Sequence, residues 1–172
     1  MQKPPQHDPF DVLGQAYEKM YEHALRNFQK AEYKTAEVLH DLVDEARQVA
    51  EEIDGVSRDD AIKLAKYIKR DLDEAADYLG EVGRDLRDWL GFESSLLEMA
   101  FVDRLLQVAD QTTLEWLRLK QAAQQYEYHT GEVTGPGTLV CDGCGETLHF
   151  HRAAKIPPCP ACHATRFHRQ TA

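Results

Sequence analysis

No apolar stretch in the 172 residues approaches the roughly 20 needed to span a bilayer, and Met1 to Asp11 lacks the apolar core of a secretory signal. A cytoplasmic protein with no membrane role is the expectation. Basic residues are in deficit, 20 Lys+Arg against 30 Asp+Glu, for a formal charge of −10. Such a surface repels a phosphate backbone, and no basic block interrupts it. There is no Gly-rich phosphate loop, no nucleophile elbow, and no clustered acid, base and nucleophile, so the sequence points away from an enzyme. Cysteine is absent before position 141. With 42% hydrophobic residues the chain still has enough apolar material to fold.

Charge and turn formers divide what is present. Residues 132–172 carry three acids (Glu132, Asp142, Glu146) and four bases (Arg152, Lys155, Arg166, Arg169), a local sum of +1 that leaves −11 of the total −10 on residues 1–131. The first part is rich in Ala, Leu and charged residues. The second gathers Gly135-Pro-Gly137, all four cysteines, and Pro157, Pro158 and Pro160. The boundaries expected are an acidic helical domain over 1–125 and a metal-binding domain over 126–172.

In the first part, Asp8 before Pro9 reads as a helix cap. Leu13, Tyr17, Met20, Ala24, Phe28, Ala31, Thr35, Val38, Leu42, Ala46, Val49 and Ile53 then recur at steps of three and four, which predicts one helix to about Asp54. Gly55 stops it, and Ser57 followed by Asp60 resembles a capping box that starts a second helix. That helix carries Ala61, Leu64, Ile68, Leu72, Ala75, Leu79, Val82, Leu86 and Trp89 at an average step of about 3.5, the period of a left-handed coiled coil. The fold class expected is mainly α with a small all-β module: a long antiparallel coiled-coil hairpin, additional helices over Ser94–Gln125, then a C-terminal zinc ribbon. A two-helix seam buries little, so support from the later helices or from a second copy, a homodimer through the helical region, is expected. Lys63, Lys66, Lys69, Arg70, Asp71, Asp73 and Glu74 read as solvated surface.

The cysteines Cys141, Cys144, Cys159 and Cys162 form a C-x2-C-x14-C-x2-C pattern. Two residues between cysteines let both thiolates face inward from one tight turn, and two such knuckles complete a tetrahedral S4 site. With no open coordination position, the site suits a structural ion. One Zn2+ is the first choice, and rubredoxin-like iron the second. A thioredoxin-like use of CxxC needs a βαβ context that is missing here. Strand formers flank the knuckles at Tyr126–Val133, Thr138–Val140, Thr147–Phe150 and Thr165–His168. His149, His151, His163 and His168 crowd the module and read as surface residues, because four thiolates already satisfy the ion. His163 follows the second knuckle where Gly145 follows the first, a position that demands a left-handed backbone.

Thr113-Leu-Glu-Trp116, Tyr128-His-Thr-Gly-Glu-Val133, Gly137-Thr-Leu-Val-Cys-Asp-Gly-Cys-Gly145 and Cys159-Pro-Ala-Cys162, in that order behind an acidic helical region, resemble the bacterial YbeL-like family of zinc-ribbon-containing proteins, a domain of unknown function. The resemblance makes the four cysteines the family's metal ligands and implies no catalytic residue. The leading functional expectation is a non-enzymatic adaptor that presents a zinc ribbon to a protein or ribonucleoprotein, such as the transcription or translation machinery. One alternative looks like DksA, an RNA polymerase-channel regulator; there the acidic hairpin tip Asp54, Asp59 and Asp60 would be the partner-binding element. Another is weak nucleic-acid binding by the ribbon through Arg152, Lys155, Arg166 and Arg169.

Overall fold

The computed structural model describes residues 11–79 and 126–170. Four helices come first: α1 (Val12–Lys30), α2 (Ala36–Glu45), α3 (Arg47–Glu51) and α4 (Arg58–Leu79). Asp11 caps α1, its side chain accepting from Gly14 N at 2.9 Å. The cap expected at Asp8 lies outside the described residues, as do the end of the second predicted helix beyond Leu79 and the predicted helical stretch Ser94–Gln125.

The helix predicted to run unbroken to Asp54 is three helices instead. α1 stops at Lys30, where Ala31 turns extended (φ −68°, ψ 141°). Lys34 Nζ donates to the carbonyls of Phe28 at 2.8 Å and Gln29 at 2.6 Å, satisfying acceptors the helix end would otherwise leave open. Thr35, read from its spacing as a stripe position, is the cap of α2 and accepts from Val38 N at 3.2 Å. Periodicity ran through this break because neither Gly nor Pro marks it.

The second predicted start holds. Gly55 turns the chain at φ +89°, and Ser57 and Asp60 form a reciprocal cap: Asp60 N donates to Ser57 Oγ at 3.0 Å, and Ser57 N donates to Asp60 Oδ2 at 3.1 Å.

Breaking the first helix folds α1 back over the hairpin made by α2–α3 and α4. Among the described residues, α1, the α2–α3 segment and α4 therefore pack against one another as a bundle, and the first arm of the expected hairpin is not one continuous helix. Its core takes Ala16, Tyr17, Met20, Tyr21, Ala24, Leu25 and Phe28 from α1; Leu39, Val43, Ala46 and Ala50 from the α2–α3 region; and Ala61, Leu64, Ala65, Ile68 and Leu72 from α4. Each large side chain buried there contributes about 1.5–3 kcal/mol. Among the described residues no helix is long and apolar enough to cross a membrane.

The second part is all β. Strands β1 (Tyr128–His129), β3 (Gly137–Cys141), β4 (Thr147–Phe150) and β6 (Arg166–Arg169) form an antiparallel sheet in the order β1-β6-β3-β4, while β2 (Val133–Thr134) pairs with β5 (Ala154–Lys155). Tyr128, Leu139, Cys141, Phe150, Ile156, Cys159 and Phe167 make a small core of their own.

This module lies along the bundle. Val133 and Ala153 join the helical core. A Cβ on Gly14 would stand 2.4 Å from the Ala153 carbonyl oxygen, so α1 needs glycine where β5 approaches it.

The joint itself is polar and buried. Asp71 and Glu74, one turn apart on α4, are only 4% and 8% exposed, and Arg169 of β6 is 2% exposed. Arg169 donates to Tyr128 Oη and Thr134 Oγ1, both at 3.1 Å, and stands 3.6 Å from Asp71 and 3.5 Å from Glu74. Tyr128 donates its hydroxyl to Glu74. Arg70 pairs with Asp71 at 3.1 Å and with Glu132, and it donates to the Val133 carbonyl at 3.0 Å. Two expectations are corrected here. Arg70, Asp71 and Glu74 are not solvated surface, because they flank the apolar stripe of α4 on the side the sheet covers. Arg169 is not a nucleic-acid contact, because its guanidinium neutralises those acids inside the fold.

Candidate metal centre

The two knuckles are built alike. In the first, Cys141 ends β3, Gly145 N donates to Cys141 O at 2.9 Å, and Gly145 is left-handed at φ +78°. In the second, His163 N donates to Cys159 O at 2.9 Å, and His163 is left-handed at φ +61°, as its position after the knuckle predicts. Each turn is closed by its first cysteine: Cys141 N donates to Glu146 O at 2.8 Å and Cys159 N to Ala164 O at 2.9 Å. The N–H of Gly143 points at Cys141 Sγ, 3.3 Å away, which is how a knuckle amide offsets thiolate charge.

All four sulfur atoms lie within 4.8 Å of one another, with Cys141 and Cys162 at 3.5 Å and Cys144 and Cys159 at 3.6 Å. A disulfide would need about 2.05 Å. A tetrahedron with Zn–S bonds of about 2.3 Å has edges of roughly 3.8 Å, so the spacing fits an S4 zinc site. Cys141 and Cys159 are buried, and Cys144 and Cys162 are exposed.

The thiols are unequal. The backbone N–H of Cys162 is the main influence drawing Cys159 down to about 7; burial opposes it and the N–H of Ala161 adds to it. For Cys144 the Glu146 N–H pulls downward, yet the hydrogen bond to Cys162, burial and the bonds to Cys159 and Cys141 push it up to about 12. Removing the first protons disfavours removing the last from sulfurs this close, and a divalent cation reverses that penalty.

The sequence matches the zinc-ribbon containing domain family over residues 26–171. The chain belongs to that family. It is 30% identical over 134 residues to proteins named "Uncharacterized protein YbeL" from Escherichia coli strain K12, strain CFT073 and O157:H7, covering 75% of this chain and 80% of each of those proteins. No solved structure matches it. Family membership and the sulfur geometry agree on Cys141, Cys144, Cys159 and Cys162 as the site of one structural Zn2+.

The remaining expected site residues are scattered. Arg152 and Lys155 are exposed around β5, Arg166 is exposed at the start of β6, and Arg152 stands 3.5 Å from Glu18. Asp54 and Asp59 are exposed, whereas Asp60 is engaged in the Ser57 cap. The turn bearing Asp54 packs against the start of α1: a Cβ on Gly55 would lie 3.8 Å from Val12, and Val56 is buried in the core. Asp60 and Lys155, expected to serve different partners, line one cleft of about 180 Å³ with Lys63, Tyr67 and Gly131. What the sequence did not disclose was the network of Tyr17, Arg70, Asp71, Glu74 and Tyr128. Its one legible trace was a pair of acids bordering the stripe Leu64, Ile68, Leu72.

Proposed function

We propose that this zinc-binding protein is a cytoplasmic, non-enzymatic adaptor whose ribbon offers one sheet face to a protein or ribonucleoprotein partner while the helices hold that face in position. The observation that carries this reading is the unequal commitment of the two faces of the four-stranded sheet. Residues directly opposed in antiparallel strands share a face. Tyr128 opposes Phe167, and Leu139 opposes Arg169 and Leu148, on the buried side. His129 opposes Arg166, Val140 opposes His168 and Thr147, and Thr138 opposes His149 on the other side. There Arg166, His168, Thr147 and His149 are exposed. The closed S4 site supports the same reading, since four thiolates leave zinc no position for a substrate. The transcription or translation machinery is the partner class we favour, by analogy with other zinc ribbons. With Arg169 inside the fold, three exposed bases remain, and direct nucleic-acid binding is weak and salt-sensitive.

The test is affinity capture from cell extract by the full zinc-loaded chain, set beside a Thr147→Glu, Arg166→Glu variant. A partner held by the first and lost from the second, with zinc content unchanged, supports the adaptor. Turnover of a small molecule by the zinc-loaded chain overturns it.

A further inference from the structure

β6 joins the metal centre to the helical bundle within four residues. At its start, Arg166 O accepts from Asp142 N in the first knuckle at 3.1 Å, and Phe167 opposes the ligand Cys141. His168 Nδ1 meets Asp142 Oδ1 at 2.5 Å. At its end, Arg169 enters the buried joint with Asp71 and Glu74. Whatever fixes the first knuckle fixes the register of β6, and that register decides whether Arg169 reaches α4.

We propose that zinc occupancy controls the docking of the ribbon on α1 and α4, with Arg169 as the positioning residue that transmits it; the proposal rests on the S4 reading above. The groups that satisfy Asp71 and Glu74 come from two sources. The helices supply Tyr17 and Arg70, both to Asp71. The sheet module supplies Arg169 to both acids, the Tyr128 hydroxyl to Glu74 and the Gly135 N–H to Asp71 at 2.9 Å. Among the described residues, the ion pair and the hydroxyl donor that reach Glu74 both come from the module, while Arg70 of the same helix adds a weaker attraction. The module's own core is seven buried residues, two of them ligand cysteines, too little to hold its strands without the ion. Metal loss frees β3 and β6 from the knuckles and withdraws Arg169. Two like charges one turn apart on α4 are then left short of partners, which drives that helix face toward water. Cys144 and Cys162 are exposed, so a chelator reaches the ion without prior unfolding of the bundle. Linkage makes the coupling reciprocal: loosening the joint weakens zinc binding by the factor by which zinc tightens the joint.

Hydrogen exchange of the full chain, zinc-loaded and chelated, tests this alongside zinc affinity measured by competition with a chromophoric chelator. The expected result is that chelation accelerates exchange of the α4 amides around Leu64–Glu74 at least about tenfold. Arg169→Met accelerates the same amides with zinc still bound and weakens zinc binding by a similar factor. Glu74→Gln, which keeps a side-chain acceptor for Tyr128, gives a smaller change of the same kind if Arg169→Met does not fold. Lys66→Met, on the exposed side of α4, changes neither. Unchanged α4 exchange on chelation, or unaltered zinc affinity in a folded joint variant, overturns the coupling while leaving the metal site intact. Native protein that holds no zinc overturns the S4 reading itself.

Discussion

Tyr17 of α1 donates its hydroxyl to Asp71 Oδ2 of α4 at 2.5 Å, across 54 positions of sequence. The same oxygen accepts the N–H of Gly135, so one carboxylate ties together α1, α4 and the turn that leads into β3. Burial, and then the Asp71 charge, push the Tyr17 hydroxyl well above its usual value of 10. The folded protein therefore holds this proton more tightly than the unfolded chain does. Its contribution to stability is full below about pH 10 and is lost as the pH rises beyond that, because only the unfolded chain ionises. Tyr17→Phe should cost about 1–3 kcal/mol at neutral pH by leaving Asp71 short of a donor, and should flatten the alkaline fall in stability. Denaturant unfolding at pH 7 and near pH 11 measures both; an alkaline slope as steep in the variant as in the parent would count against the Tyr17–Asp71 bond.

Zinc should be present at one ion per chain. Apparent binding energies for structural zinc of about 10–16 kcal/mol far exceed what a seven-residue core supplies, so Cys141→Ser or Cys159→Ser should abolish stoichiometric zinc and the order of the strands together. Elemental analysis and amide NMR of residues 128–170 read the two consequences. Zinc-free protein with those amides still dispersed would refute the dependence.

Gly137 and Gly131 should respond differently to alanine. Both have a positive φ that L side chains rarely adopt, +149° and +93°. A Cβ at 131 meets nothing within 4 Å, whereas at 137 it would stand 2.1 Å from Arg169 Nη1. Gly131→Ala should cost about 1–2 kcal/mol in backbone strain. Gly137→Ala should cost more, because the guanidinium it displaces is the counter-charge of Asp71 and Glu74. Equal melting temperatures for the two variants would contradict the packing of Arg169 on Gly137.

At the start of α4, structural and partner roles can be separated. The Ser57 hydroxyl, and next the Ser57 backbone N–H, hold the Asp60 carboxyl below its usual range. Its contribution is present above the ordinary aspartate value and is lost as the pH falls through the depressed one. Ser57→Ala should cost about 1 kcal/mol, and Asp60→Ala should destabilise at pH 7 but not in strong acid. Asp59→Ala should leave the melting temperature unchanged. A polymerase-binding defect in the Asp59 variant would support the channel-regulator reading; a stability loss there would show that Asp59 too belongs to the cap.

His163 tests the second knuckle. A β-branched residue at φ +61° is strongly disfavoured, so His163→Val should lower stability by at least about 1–2 kcal/mol while His163→Gly does not. Chelator titration alongside melting shows whether zinc affinity follows; a neutral valine would mean that the turn at 163 differs from the one at Gly145.

Much of the metal centre was legible because its determinants are local. CxxC spacing fixes which sulfurs share a turn, and a residue after each knuckle must be left-handed whatever the rest of the chain does. The capping box of Ser57 and Asp60 was readable for the same reason. The break after Lys30 was not, since the donor that terminates α1 is a lysine side chain reaching back from position 34, and no punctuating residue announces it.

The sequence by itself determined the ligands, the turns that present them and the helical character of residues 12–79, all set by chemistry within a few residues. Tertiary structure alone decided that Arg169 is a buried counter-ion, that Asp71 and Glu74 are hidden, and that the helices form a bundle with the ribbon laid against it. A charged side chain carries no local mark of burial. Whether it faces water or an opposite charge depends on which distant strand arrives beside it, and here that strand is held in register by the metal knuckle at its other end.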